Sequence, residues 1–337
     1  MGAILITGGA GFMGSHFVKH MLAAEPGTKV ICFDKLTYAG NRDNLKELAG
    51  NLDFSFVQGD IQNSELIEHI IKTQDVRRIV NFAAETHVDR SIDSAMAFEK
   101  TNVGGTLVLL EQARKFDVEM LHVSTDEVYG SIERGSFTEE SILDPRSPYS
   151  ASKAAADNFA LAYAKTYGLK VKITRSVNYY GSNQYPEKLI PLAITNVLEG
   201  KKIPVYGSGK NVRDWIFTKD VCSAINFVMR NGKSGEIYNI SSRNELTNIE
   251  VVRKILSILG KDDLWFEYVS DRPGHDLRYS VDARKLTELG WQPKVSFEDG
   301  LRQTVEWYRT NEWWWKPLKE KMSPIRWLSG DGQQQHN

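Results

Sequence analysis

The apolar run Met120–Val123 delivers a hydroxyl and two carboxylates in succession, within the stretch "LHVSTDEVYG" from Leu121 to Gly130. Ser124, Thr125, Asp126 and Glu127 so placed suit a helix cap, a loop, or a site where protons move. Farther along, "YSASK" sets Tyr149 and Lys153 four residues apart at the start of a helix, so both side chains face the same way. A free phenol has a pKa of ~10 and is a poor base at neutral pH. A neighbouring ammonium stabilises the phenolate and lowers that value, which lets Tyr149 take a proton from a substrate hydroxyl. The same spacing recurs by chance on many helices, so its weight depends on what the rest of the chain sets beside it.

What the chain sets beside it is "ITGGAGFMGSHF", which follows a strand and opens a helix. Gly9, Gly11 and Gly14 satisfy G-x-G-x-x-G, and Gly8, Gly11 and Gly14 the wider G-x-x-G-x-x-G. Glycines let the backbone turn tightly and let a pyrophosphate approach amides at a helix N-terminus, where the dipole favours negative charge. Asp34 lies twenty residues after Gly14, at the end of the second strand, where a carboxylate accepts hydrogen bonds from ribose hydroxyls. A carboxylate there repels a 2′-phosphate, which favours NAD over NADP, although adjacent Lys35 weakens the inference. Asp60, ending the third strand, suits either the adenine amino group or an ordinary strand end. With a nicotinamide in place, its positive ring adds to the lowering of the Tyr149 pKa, a hydride leaves the carbon that loses its hydroxyl proton, and Lys153 also holds the nicotinamide ribose.

These residues need elements to position them. "AILITG" (3–8), "KVICFD" (29–34), "FSFVQGD" (54–60), "RIVNFAA" (78–84), "MLHVST" (120–125) and "KVKITRS" (170–176) read as buried strands. "SHFVKHMLAA", "SELIEHIIKT", "TNVGGTLVLLEQARKF" and "SASKAAADNFALAYAKTYG" between them read as helices. Strands alternating with helices predict an α/β fold, a Rossmann-like doubly wound parallel sheet covered on both faces. Beyond about Arg175 the rhythm changes: "YYGSNQYPEKLIP", "YGSGKNVRDW" and "SDRPGHD" read as long polar loops, too extended for mere connectors. They imply a smaller C-terminal substrate-binding lobe. The expected division is a cofactor-binding domain over 1–175 with about 222–242, a substrate lobe over 176–221 and 243–322, and a polar tail over 323–337. "EWYRTNEWWWKPL" carries four of the eight tryptophans and suits aromatic packing of a last helix better than a sugar-stacking platform.

Composition excludes several classes. Lys plus Arg (42) nearly balances Asp plus Glu (43), so no basic surplus exists to hold nucleic acid. No apolar run approaches the ~20 residues of a membrane span. The chain opens directly into its first strand, and Cys32 and Cys222 form no paired motif, which together suggest a cytoplasmic protein with reduced thiols. No metal-ligand spacing is present.

The glycine loop, the Ser/Thr ending a strand and Tyr-x-x-x-Lys together resemble the extended short-chain dehydrogenase/reductases. More narrowly, "DKLTYAGN", "NFAAETHVDRS", "TNVGGT", "STDEVYG", "SPYSASKAAAD", "YPEKLIPL", "NVRDW" and "DRPGHD" resemble the dTDP-glucose 4,6-dehydratases, from about Ala3 to Pro317. The resemblance implies that an acid and a base beside the hydroxyl, tyrosine and lysine serve elimination of water. Tyr149, helped by Thr125, takes the O4 proton as C4 passes hydride to NAD+. The 4-ketone makes the C5 proton acidic, and the resemblance assigns its removal to Glu127. It assigns protonation of the departing C6 hydroxyl to Asp126, whose pKa must then be raised, as burial beside Glu127 would do. Hydride returns to C6, C5 is reprotonated and NAD+ is restored.

The same resemblance implies cofactor contacts from Gly8, Gly11, Phe12, Met13, Gly14, Asp34, Lys35, Leu36, Thr37, Asp60, Ile61, Ala83, Ala84, Thr101, Tyr149 and Lys153. It implies substrate contacts from Thr86, Thr125, Asn178, Lys188, Leu189, Tyr206, Arg213, Asn248, Arg272 and His275, with the arginines forking onto a diphosphate. It implies a homodimer through helices 101–116 and 150–168. Three departures stand out: "VNYYG" (177–181) where the family reads Ser-Asn-Asn-Tyr-Gly, "ISS" (240–242) for Ile-Gly-Gly, and Thr86 for serine. They leave the proton-transfer groups intact but change pocket shape, so UDP-glucose and UDP-N-acetylglucosamine stay open beside dTDP-glucose. A nucleotide-sugar 4-epimerase leaves Asp126 and Glu127 idle, and a non-catalytic NAD-binding protein leaves the whole constellation idle.

Overall fold

The computed structural model describes residues 2–271 and 275–322. Arg272 and the segment 323–337 lie outside the described residues. In chain order the strands are β1 (Ala3–Thr7), β2 (Val30–Asp34), β3 (Phe54–Gln58), β4 (Val76–Asn81), β5 (Glu119–Thr125), β6 (Val171–Ser176), β7 (Asn178–Tyr180), β8 (Ile203–Tyr206), β9 (Val212–Phe217), β10 (Ile237–Ile240), β11 (Glu245–Thr247) and β12 (Phe266–Val269). Seven of them form one sheet in the order β10-β6-β5-β4-β1-β2-β3, and every pairing in it is parallel.

The continuous apolar runs account for this sheet. Along β1 and β2, Ile4, Ile6, Val30 and Cys32 join one buried cluster while Ala3, Leu5, Ile31 and Phe33 join another, so alternate side chains serve opposite faces. Helices then have to cover both faces, as the alternating sequence requires. Strand order reverses beside β1: the chain steps outward through β2 and β3, then returns to place β4 on the other flank. A crevice opens at the carboxyl ends of strands where such a reversal occurs.

The helix Pro148–Tyr167 is set by local chemistry. Ser147 and Ser150 cap it reciprocally, at 3.1 Å and 3.0 Å, Pro148 occupies the first turn, and Gly168 ends it at φ +67°. Tyr149 is thereby fixed in the first turn. The helix expected over 101–116 is regular only from Thr106 to Phe116; a π-helical turn, Glu99–Gly105, precedes it.

Two polar stretches read as loops contain strands, which corrects that expectation. Tyr179 and Tyr180 lie in β7, and "NVRDW" forms most of β9, with β11 and β7 flanking β9 in a three-stranded sheet. The strands are too short, and their polar residues too evenly spread, for alternation to show. A third core cluster gathers β8 and β9 with the helices Leu189–Leu198, Asn248–Ile258, Phe297–Thr310 and Glu312–Glu320. Trp314 and Trp315 are buried in it, in agreement with packing as the role of the aromatic run. Among the described residues no helix is long and apolar enough to cross a membrane.

Candidate active site

The glycine loop is shaped by close approach. Gly8 has φ +66°, and a Cβ there would sit 2.6 Å from the Ala83 nitrogen, at the end of β4. A Cβ on Gly14 would lie 2.1 Å from the Gly8 carbonyl oxygen, so the helix Phe12–Ala24 can pack against the loop only without a side chain there. Asp34 ends β2 buried, accepting from the backbone N–H of Ala10 at 2.9 Å and of Leu36 at 2.7 Å. Burial raises its pKa, and the N–H groups of Leu36, Ala10 and Gly11 oppose that. Lys35 pairs with Asp60 at 2.7 Å, and Asp60 also accepts from the Gln62 N–H. The loop is tied from behind by Asn44, whose amide donates to the Ala10 carbonyl at 2.9 Å. The Asn44 amide oxygen accepts from the Trp314 indole at 2.8 Å and from Asn183 at 3.1 Å.

Loop and strand ends line one cleft of about 360 Å³. On its far side, Thr125 ends β5 and caps the short 3-10 turn Asp126–Tyr129, its hydroxyl accepting from the Glu127 N–H at 3.3 Å. The same hydroxyl donates to Asp126 Oδ1 at 3.3 Å. The "STDE" stretch is therefore a cap that also presents two carboxylates to a cleft. Asp126 is 2% exposed, and burial, then the charge of Glu127, pushes its pKa up to about 8. Lys153 is buried, donates to the Val123 carbonyl at 2.7 Å, and is pushed down to about 8 by burial, with Asp157 opposing.

Tyr149 departs from expectation. Burial, followed by Glu127 and Tyr179, holds its pKa well above the ordinary phenol, with the Thr125 hydroxyl opposing. The protein alone thus keeps Tyr149 protonated. Desolvation of the phenolate exceeds what the groups around it give back, and a lowered value has to come from a bound positive charge.

The cleft is lined by Gly8, Gly11, Phe12, Met13, Gly14, Asp34, Lys35, Thr37, Asp60, Ile61, Ala83, Ala84, Thr86, Thr101, Thr125, Asp126, Glu127, Tyr149, Lys153, Asn178, Lys188 and Leu189, all singled out by sequence. Leu36 stands behind it, at φ +59°, supporting Asp34. Tyr206, Arg213, Asn248 and His275 lie outside the lining, although the charge of Arg213 reaches Asp126 and opposes the rise in its pKa. Arg213 donates to the carbonyls of Val212 at 2.8 Å and Asp276 at 3.0 Å and stacks over Tyr279, with 4.1 Å from Cζ to the ring centroid. His275 pairs with Asp271 at 2.6 Å and packs edge-on against Tyr206.

Sequence reasoning missed several lining residues, among them Phe82, Gln184, Trp215 and Trp314. It also missed Asn102 in the π-helical turn, which exchanges hydrogen bonds with the Glu85 backbone at 2.8 Å and 3.0 Å and donates to Ser152 at 2.8 Å. The π turn leaves no periodic signal, and Asn102 is marked only by sitting within "TNVGGT". Three buried polar atoms on the lining have no hydrogen-bond partner among the described residues: Asp126 Oδ2, Gln184 Oε1 and Trp215 Nε1. Orphans gathered on one cleft wall point to a polar ligand.

The GDP-mannose 4,6 dehydratase family model matches residues 5–304. A dTDP-glucose 4,6-dehydratase of Streptomyces niveus is 51% identical over 322 residues, spanning 94% of this chain and 95% of that protein. The crystal structure of dTDP-glucose 4,6-dehydratase from Bacillus anthracis in complex with NAD matches with a TM-score of 0.89 and 54% identity, over 94% of this chain and 100% of that one. That of DesIV, a dTDP-glucose 4,6-dehydratase from Streptomyces venezuelae with NAD bound, matches with a TM-score of 0.91 and 52% identity, over 94% and 99%.

Proposed function

The chain belongs to the GDP-mannose 4,6 dehydratase family, among its dTDP-glucose 4,6-dehydratases, and from that premise we propose that it converts dTDP-glucose to dTDP-4-keto-6-deoxyglucose with NAD as a recycled cofactor. The observation that carries the reading is one wall of the cleft bearing Thr125, Asp126, Glu127, Tyr149 and Lys153 together. A dehydrogenase or epimerase needs the hydroxyl, phenol and ammonium; only elimination needs a protonated acid beside a second carboxyl.

The residues present fit NAD. The Gly8–Gly14 loop offers amides at a helix start, Asp34 is held by two N–H groups with its carboxylate at the β2 end, and the lining carries unpartnered polar atoms. When bound, the nicotinamide supplies hydride acceptance at C4 and hydride return at C6. The chain's own residues handle protons. Tyr149 takes the O4 proton, with Thr125 beside it and Lys153 holding positive charge behind it. Glu127 removes the C5 proton. Asp126, carrying a proton at neutral pH because it is buried next to Glu127, delivers it to the leaving C6 hydroxyl.

Asn178, Lys188, Leu189 and Thr86 would meet the sugar-nucleotide in the cleft, and Tyr206, Arg213, Asn248, Arg272 and His275 would meet its far end from the smaller lobe. That split supports assigning 1–175 with about 222–242 to the cofactor and 176–221 with 243–322 to the substrate. The second group includes Val177 and Tyr179, both on the cleft lining, and their departure from the family pattern supports a second reading in which the hexose is carried on UDP. A homodimer through the helices of 101–116 and 150–168 is part of the proposal, supported by Phe159 and Tyr167 at 39% and 55% exposure on the second of them. So is a cytoplasmic location, supported by two free, buried cysteines.

The test is incubation with dTDP-glucose, UDP-glucose and UDP-N-acetylglucosamine, followed by mass spectrometry. Loss of one water from dTDP-glucose is the expected result. Unchanged mass with an inverted C4 would overturn dehydration, and water loss from a UDP-sugar alone would transfer the reaction to the second reading.

A further inference from the structure

Tyr149, Lys153 and Asp157 stand at four-residue intervals along the helix Pro148–Tyr167, so they form one stripe running from the cleft into the interior. Asp157 and its neighbours His122 and Arg175 are buried and absent from the cleft lining. His122, on β5, brings Nε2 to 3.3 Å from Lys153 Nζ and 3.6 Å from Asp157 Oδ1. Arg175, on β6, donates its Nε–H to Asp157 Oδ2 at 2.8 Å. Burial raises the Asp157 pKa, and the charges of Arg175 and Lys153, with hydrogen bonds from Arg175 and Ser124, oppose that.

The imidazole tautomer follows from its other side. The Asn81 amide oxygen accepts from the Ala83 backbone N–H at 3.2 Å and from Thr7 at 2.6 Å. A backbone N–H only donates, so the Asn81 amide cannot be reversed, and its NH₂ faces His122 Nδ1 at 3.2 Å. Nδ1 must accept, and the neutral ring therefore carries its proton on Nε2. Such a ring offers Lys153 no lone pair, while its N–H points charge toward Asp157. Burial and the two nearby cations keep the ring neutral.

We propose that Asp157 is a positioning residue for the reaction, the buried counter-charge that keeps Lys153 an ammonium, acting across His122 held as an Nε2–H spacer that relays no proton. The proposal rests on the function proposed above only in giving Lys153 a task; the charge arrangement stands without it. A buried ammonium without a counter-charge is strongly disfavoured against its neutral form. The groups set against Lys153 are Asp157 from its own helix and, from β5, His122 and the Val123 carbonyl, while Arg175 from β6 faces Asp157 from the other side. Arg175 and Lys153 against Asp157 leave one surplus positive charge along this stripe.

The test uses the full-length protein without nucleotide. Lysine labelled with ¹³C at Cε is titrated by NMR, with Lys153→Met identifying the signal. In Asp157→Asn the Lys153 acid constant should rise at least about tenfold, with its midpoint moving to lower pH, and Asp157→Glu should restore it. An unchanged midpoint in a folded Asp157→Asn protein would overturn the proposal. Should that variant not fold, imidazole ¹⁵N shifts of the unaltered protein decide: an Nδ1 signal of unprotonated type that persists across neutral pH is expected, and an Nδ1–H or a titrating ring would refute it. Neither readout depends on turnover, so failure of the dehydration assay and failure here are separate results.

Discussion

Replacing Asp126 by asparagine should destroy activity and yet stabilise the protein, by an amount that grows with pH. Burial lifts the carboxyl from an ordinary 3.8 to about 8, so the folded state holds its proton across a range where the unfolded chain has released it. In that range the folded state binds more protons than the unfolded one, and stability falls as pH rises. The contribution is present in full below 3.8 and wholly lost above about 8. Each unit corresponds to ~1.4 kcal/mol, so the penalty at pH 8 exceeds that at pH 5 by up to ~4 kcal/mol. Asparagine never ionises and escapes this term. Its NH₂, placed where Asp126 Oδ2 has no partner, adds a cost of ~1–3 kcal/mol that is the same at every pH. Urea unfolding of both proteins without nucleotide, at pH 5 and pH 8, separates the two. The variant's advantage should grow by a few kcal/mol between them while turnover falls by ~100-fold or more. An advantage of equal size at both pH values would show that Asp126 is ionised in the folded protein and that the acid assigned to C6 is elsewhere.

Glu127→Gln should halt the reaction after oxidation at C4, so mixing with substrate builds absorbance at ~340 nm without loss of water; complete dehydration would remove Glu127 from the role of base. Gly14→Ala should weaken NAD binding at least about tenfold in calorimetry, since its Cβ would lie 2.1 Å from the Gly8 carbonyl and must displace the loop; unaltered affinity would contradict that geometry. Asp126 and Lys153 must both carry protons, and both sit at about 8. The steady-state rate should therefore fall above pH 8 with a log slope approaching about −2. Hydride transfer alone, followed in Glu127→Gln, should fall with a slope near about −1, and equal slopes would separate one of these groups from the chemistry.

Six strands of the large sheet were legible as apolar runs, with boundaries within about three residues, although β3, read as buried, is the half-exposed edge strand. Ile237–Ile240, four residues at the sheet edge, and the strands of the smaller lobe were not, because short strands with polar members give no period to read. Every expected cofactor contact was brought to the cleft lining except Leu36, which is one step behind it. The exceptions elsewhere came from short elements and a loop beyond the large sheet, Tyr206 ending β8, Arg213 in β9, Asn248 opening a helix and His275 in a loop, where a motif fixes residue type but not direction: Arg213 turns to the carbonyls of Val212 and Asp276. The raised pKa of Asp126 was foreseen from burial beside Glu127. That of Tyr149 was not, because the sequence shows which charges are near but not how much water the fold removes.

Asn44 gives the two ends of the polypeptide a shared fate. Its amide joins the first turn of the molecule, at Ala10, to an indole 270 positions downstream of Asn44 itself. A chain still being synthesised has its glycine loop early and lacks this latch until Trp314 has been made. A protein shortened from its carboxyl end loses a brace at the opposite terminus, far from the cut in sequence and adjacent to it in space.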